Sequence, residues 1–277
     1  MSDKIEPTGF SGKPRLASKV CVITGAVGGI GQATVVRFVE EGAKAVIISD
    51  LNKKACDELV EKVKANLQQL AWPGLEPITE LYAIQCDVTK EEDQARLFQE
   101  TLDKFGSVDV AVANAGIGSP QAPLEETSLG LFKKMFDIHT TGVWLTTKYA
   151  AKAMQVNKEG EGKGSIIINI SVGGLIAESN FSPYIASKWG ARGVGLALAK
   201  ELGPKGIRVN NVHPGIVDTP LATDCWKPEV AQAIREASTL RRSATAVEVA
   251  NAFVFLASGE SSYVAGATLG VHGAMVA

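Results

Sequence analysis

The 277-residue chain is 45% hydrophobic and 21% charged, with a net charge of −2. This is an ordinary globular balance, and it provides no basic face for nucleic acid or for an anionic membrane. No run approaches the ~20 apolar residues of a membrane helix, and Cys21, Cys56, Cys86 and Cys225 read as small buried hydrophobes in a reducing compartment, not as a disulfide framework or metal site.

The first 17 residues lack the apolar stretch of a signal peptide and are expected to form a loose arm on a soluble, cytoplasmic protein. "KVCVITG" then reads as a buried strand, and "GQATVVRFVEEG" as a helix ending at Gly42. "AVIISD" is a second strand, followed by a helix from about Asn52 to Leu70. "AWPGLEPI" is a turn-rich excursion before a third strand, "ELYAIQC". In the next helix, "VTKEEDQARLFQETLDKFG", Thr89 and Glu92 have capping-box spacing. "VDVAVANAG" is strand four, and a long helix covers roughly 126–155. After a Gly/Lys-rich loop come strand five, "SIIINIS", a helix opening at "SPYIASKWG", and strand six, "GIRVNNVHPG". Residues 216–242 are expected to be irregular and partly helical, before a helix at "AVEVANAFVFLASG" and a last strand at "GATLGV".

Strands apolar along their whole length, alternating with helices, predict a parallel sheet covered on both faces. One doubly wound α/β domain of the Rossmann type, about seven strands over residues 18–277, accommodates the chain, with a substrate loop at about 216–242.

The glycines of "TGAVGGIG" follow the first strand and open the first helix, the context in which such a loop cradles a pyrophosphate. Asp50 ends strand two at the distance expected of a carboxylate that holds the adenosine ribose, and it would repel a 2′-phosphate. NAD is therefore expected over NADP, although Lys53 and Lys54 stand nearby. Thr89 as a cap would leave Asp87 free to face the adenine. "NAG", Asn114 to Gly116, ends strand four with a turn. In "SPYIASKWG", Ser182 suits an N-cap and Pro183 the first helical position. Tyr184 and Lys188, four apart, share a helix face. A neighbouring ammonium and the helix N-terminus both favour phenolate.

In their order and spacing, Thr24-Gly25-x-x-x-Gly29-x-Gly31, Asp87, Asn114-Ala115-Gly116, Ser171, Tyr184-x-x-x-Lys188 and Pro214-Gly215 with Thr219 resemble the classical branch of the short-chain dehydrogenase/reductase family, over about residues 18–273. The resemblance implies hydride transfer between a secondary alcohol or ketone and a nicotinamide. Tyr184 would be the acid–base, Lys188 its electrostatic partner and ribose ligand, and Ser171 the group that positions the substrate oxygen. It extends the cofactor surface to Val27, Ile30, Leu51, Val88 and Val217.

Where the family usually carries Asn, this chain has His139, which is expected to join the proton relay and add a titration below about pH 7. His213 and His272 read as structural. The substrate wall is expected at Gly118, Gly173, Phe181, Ile216, Leu221 and Trp226, suited to a lipophilic, ring-bearing secondary alcohol of secondary metabolism. The family resemblance also implies a homodimer or homotetramer. The rival readings are an NADPH-dependent ketone reductase and a cofactor-binding non-redox catalyst on the same fold.

Overall fold

The computed structural model describes residues 14–70, 79–156, 163–225 and 228–276. The turn-rich excursion at 71–78, the Gly/Lys-rich loop and Trp226 lie outside them. Seven parallel strands form one sheet in the order β3-β2-β1-β4-β5-β6-β7. They are β1 (Val20–Thr24), β2 (Ala45–Asp50), β3 (Glu80–Gln85), β4 (Val110–Ala113), β5 (Gly164–Asn169), β6 (Ile207–Pro214) and β7 (Thr268–Val271).

All five side chains of β1 are buried, and the reason lies in the layers. Val20 and Val22 join one core with Ala45 and Ile47, while Cys21 and Ile23 join the opposite core with Val46 and Ile48. Alternate residues of a strand point to opposite faces, so a strand covered on both sides must be apolar throughout. β3, at the sheet edge, has exposed ends at Glu80 and Gln85.

The helices are α1 (Gly29–Glu40), α2 (Lys53–Lys64), a short α3 (Leu67–Leu70), α4 (Glu91–Phe105), α5 (Leu129–Phe136), α6 (Gly142–Met154), α7 (Ser182–Leu202), α8 (Pro220–Cys225), α9 (Pro228–Ala237) and α10 (Ala246–Ala257). Asn52 caps α2 by accepting from the Ala55 N–H. The expected long helix is α5 and α6 joined through a π-helical turn at Asp137–Thr141. α8 and α9 occupy the segment expected to be partly helical. Among the described residues, no helix is long and apolar enough to cross a membrane.

Two local expectations change. Thr89 does not cap α4: its hydroxyl donates to Asp87 Oδ1, and Lys90 takes the N-cap position. A true capping box stands at Thr245 and Glu248 on α10, where both reciprocal bonds form. α7 starts at Ser182 itself, with Phe181 as N-cap.

Residues 14–17 are not a loose arm. Leu16 is fully buried, and its N–H donates to the Glu41 carbonyl. Glu41, 3% exposed, pairs with both Arg15 and Arg37. Burial pushes its carboxyl up, but the bonds from Arg15 and the charge of Arg37 outweigh that and hold it below the usual range. Glu41→Ala would remove the carboxylate that Arg15 and Arg37 share, leaving Arg37 with Glu40 and Asn251 and Arg15 near Glu260. It should cost about 1.5 kcal/mol, the low end for hydrogen bonds to a charged group, read as a lower urea midpoint at unchanged slope.

Candidate active site

The sheet order reverses between β1 and β4, where the chain leaves in opposite directions and a crevice opens at the carboxyl ends of the strands. A cleft of about 650 Å³ lies there. Its floor at one end is the β1–α1 turn. Gly25 adopts φ +63°, and a Cβ on it would stand 2.6 Å from Ala115 Cα. A Cβ on Gly31 would stand 2.3 Å from the Gly25 carbonyl oxygen. Only glycine fits either place, and the first turn of α1 is left with bare N–H groups and no acidic side chain. Such a helix start favours an anion.

Asp50 lines the same end. Its carboxylate accepts from the Val27 N–H at 3.4 Å and the Asn52 N–H at 3.3 Å. Lys53 and Lys54 turn instead along α2, to Asp57 and Glu58. Asp50 and Lys188 are the only charged side chains among the described residues lining the cleft.

Gly25, Val27, Gly29, Ile30, Gly31, Asn114, Gly116, Pro214, Gly215, Val217 and Thr219 all line the cleft. Thr219 is packed so closely over the start of α1 that a Cβ on Gly29 would meet its Cγ2 at 2.5 Å. Leu51, Asp87, Val88 and Ala115 are off its wall, each for a local reason. Leu51 is 64% exposed to solvent. Asp87 Oδ1 is taken by the N–H and hydroxyl of Thr89. Val88 packs against Gly142, and Ala115 against Gly25.

At the other end the cleft brings together Ser171, Tyr184 and Lys188. Lys188 is only 6% exposed, and its Nζ stands 5.5 Å from the Tyr184 ring centroid. Burial lowers its pKa to about 7. Ser171 Oγ accepts from the Gly173 N–H at 3.0 Å. Gly173 itself is behind the wall, where a Cβ would crowd Tyr184 Cε1 at 3.2 Å.

His139 is carried inward by the π turn and meets the Tyr184 ring edge-on at 5.4 Å between centroids. Its Nε2 accepts from the Ile117 N–H at 3.0 Å. Its Nδ1 lies 2.9 Å from Ser187 Oγ, whose own hydrogen goes to the Tyr184 carbonyl. The ring is therefore neutral with its proton on Nδ1. Burial and the Lys188 charge hold it well below the usual histidine range. This corrects the expected titration near pH 7: both nitrogens are committed to joining the loop after β4 to α7.

Of the expected substrate wall, Gly118, Phe181 and Leu221 line the cleft, with Ile117, Ser119 and Ala222. Ile216 does not. It is buried and faces a separate cavity of about 150 Å³ toward Leu240 and His272.

Sequence reasoning missed Asn169. Its Nδ2 donates to Asn114 Oδ1, and Asn114 Nδ2 donates in turn to the Thr24 and Gly25 carbonyls. The amide that follows three isoleucines at the end of the strand was the available signal. Ser187 gave none, because its role depends on the π turn reaching α7.

Comparison with known proteins follows the same line. A family model described as enoyl-(acyl carrier protein) reductase matches residues 25–275. The chain is 36% identical over 261 residues to cis-4-hydroxycyclohexanecarboxylate dehydrogenase of Sinomonas cyclohexanicum, covering 94% of this chain and 98% of that one. It is 37% identical to a mitochondrial borneol dehydrogenase of Lavandula x intermedia, covering 94% and 91%. Among solved structures it superposes on levodione reductase with a TM-score of 0.84 at 30% identity, covering 94% and 98%. A short-chain type dehydrogenase/reductase from Mycobacterium marinum gives 0.83 at 29%, covering 94% and 96%.

The buried Lys188 carries a stability cost with a defined pH window. Its folded pKa of about 7 lies below its ordinary 10.5, so the unfolded chain binds more protons between those values and stability rises with pH across them. Lys188→Met should raise the melting temperature at pH 7, and the gain should shrink as pH approaches 10.5. Equal melting temperatures at pH 7 would refute the cost.

Proposed function

The chain belongs to the short-chain dehydrogenase/reductase family and is an oxidoreductase acting on alcohols and ketones; within that family we propose that it is NAD-dependent and interconverts a neutral, lipophilic, ring-bearing secondary alcohol and its ketone. The observation that carries this reading is the pairing of Tyr184 with a buried lysine beside Ser171, at one end of a cleft whose other end holds Asp50.

The glycine loop and the bare N-terminus of α1 suit a pyrophosphate, and Asp50 suits a ribose diol. When bound, a nicotinamide dinucleotide supplies the hydride acceptor or donor. The chain's own residues do the rest. Ser171 Oγ holds the substrate oxygen. Tyr184 Oη takes the alcohol proton in oxidation and returns one in reduction. Lys188, when it carries its proton, stabilises the phenolate left behind, buried where little water screens it. His139 acts as a positioning residue, since its nitrogens are spent on Ile117 and Ser187.

Charge selects among substrates. Besides Lys188, no described lining residue is cationic, so a carboxylate on the substrate would enter without a partner. Phe181, Leu221 and Ile117 offer apolar contact instead. A neutral terpenoid or cyclohexanol-type alcohol fits this wall better than the hydroxy acid of the Sinomonas relative. Exposed Trp144, Trp189, Leu129 and Phe132 support a homodimer or homotetramer, and the free buried thiols of Cys21, Cys56 and Cys86 support a cytoplasmic setting.

Two measurements test the reading. NAD should be preferred over NADP in kcat/KM, and Asp50→Ala should narrow the ratio by about tenfold or more, since it removes the repulsion of a 2′-phosphate. Equal efficiency of the wild type with both cofactors would sink the NAD assignment. Tyr184→Phe keeps the ring and removes the hydroxyl. With a cyclic secondary alcohol it should lose at least about 10²-fold in kcat while NAD binding, followed by titration calorimetry, stays close to wild type.

A further inference from the structure

His213 is wholly buried near the end of β6, an unusual place for an imidazole unless it has a partner. The partner is the carbonyl oxygen of Ser171, 2.8 Å from Nδ1. A carbonyl only accepts, so Nδ1 carries the proton and donates it. Burial, helped by the charges of Arg192, His272 and Lys188, lowers the His213 pKa to about 4, which keeps that tautomer neutral at working pH.

The position of this bond matters. The ladder between β5 and β6 runs out at Ile170, whose N–H donates to the Val212 carbonyl. Ser171 is the next residue, one step beyond the sheet. Its backbone is extended and it is held by local bonds. The Gly174 N–H and His213 Nδ1–H both reach its carbonyl, and the Gly173 N–H reaches its Oγ. A Cβ on Gly174 would stand 3.3 Å from His213 Cε1, so the chain after Ser171 rests directly on the imidazole.

We propose that His213 is a positioning residue for the reaction: by gripping the Ser171 carbonyl it sets the direction of Ser171 Oγ toward the substrate oxygen. The proposal rests on the reading of Ser171 as the group that holds that oxygen. β6 therefore contributes to catalysis without touching substrate.

The test compares full-length wild type, His213→Asn and His213→Leu, each with Ser171 and with Ser171→Ala. Asn can place an N–H close to where Nδ1 stands; Leu cannot. Hydrogen exchange at the Gly173 amide, read by NMR without cofactor, reports whether Ser171 Oγ is still in place. His213→Leu should lose about tenfold protection there and His213→Asn should keep it. In alcohol oxidation with NAD, His213→Leu should lower kcat about tenfold with little change in KM for NAD. It should cost nothing further once Ser171 is already Ala, because residues acting as a unit are not additive. Unchanged Gly173 protection in the leucine variant overturns the proposal. So does a kcat loss of equal size in both Ser171 backgrounds. If His213→Leu does not fold, His213→Gln, whose amide reaches toward the Nε2 position, replaces it with the same expectations. A wild type without dehydrogenase activity would refute the alcohol reading instead, and the exchange measurement would still decide whether His213 holds Ser171.

Discussion

The chain turns one way after β1 and the opposite way after β4, and every part of the candidate site follows from that divergence. Two adjacent parallel strands cannot be joined directly, so each sends its chain over a different face of the sheet. The space between the departing segments is left open at the strand ends. β1 delivers the glycine turn to one side of it, β4 delivers the Asn114 turn, and β5 delivers Ser171. The close contact of Gly25 with Ala115 shows how tightly the two departures are packed. A side chain at that glycine would push apart the edges that define the cleft.

A second constraint is the removal of water from the end of the cleft that holds Tyr184. Lys188, His139 and His213 are all buried, and burial is the first cause of the lowered pKa of each. The two histidines answer it by staying neutral and spending their protons on specific acceptors. The lysine has no such escape if it is to act as a cation, so the fold holds a group there at a cost to its own stability. Such a cost is tolerated at sites where function requires it. The helix α7 makes this possible. It brings Tyr184, Ser187 and Lys188 to one place, and Gly190 lets Thr140 of the π turn pack against it.

Much of this was legible in the sequence, because some signals are local. Apolar runs such as "AVIISD" mark strands buried on both faces, and β2 has those bounds. The glycine spacing after β1, the tyrosine and lysine four apart, and Asp50 at a strand end are likewise patterns whose geometry follows from the period of a helix or the end of a strand. Expectations that depended on one side chain choosing between partners fared worse. Thr89 could cap α4 or bind Asp87, and it binds Asp87. Ile216 could face either of two cavities, and it faces the smaller.

The sequence by itself determined the layered sheet, the glycine cradle and the Tyr184–Lys188 face, since each rests on hydrophobic periodicity or on spacing within a single element. Only the tertiary structure decided what the three histidines do. His139 is neutral because a loop amide from β4 and a hydroxyl from α7 meet its two nitrogens. His213 grips Ser171 because β6 lies beside β5 in register. His272 lies over Gly270 at the sheet edge. An imidazole can donate, accept or titrate, and which of these it does is set by burial and by partners far away in the chain, which no local pattern encodes.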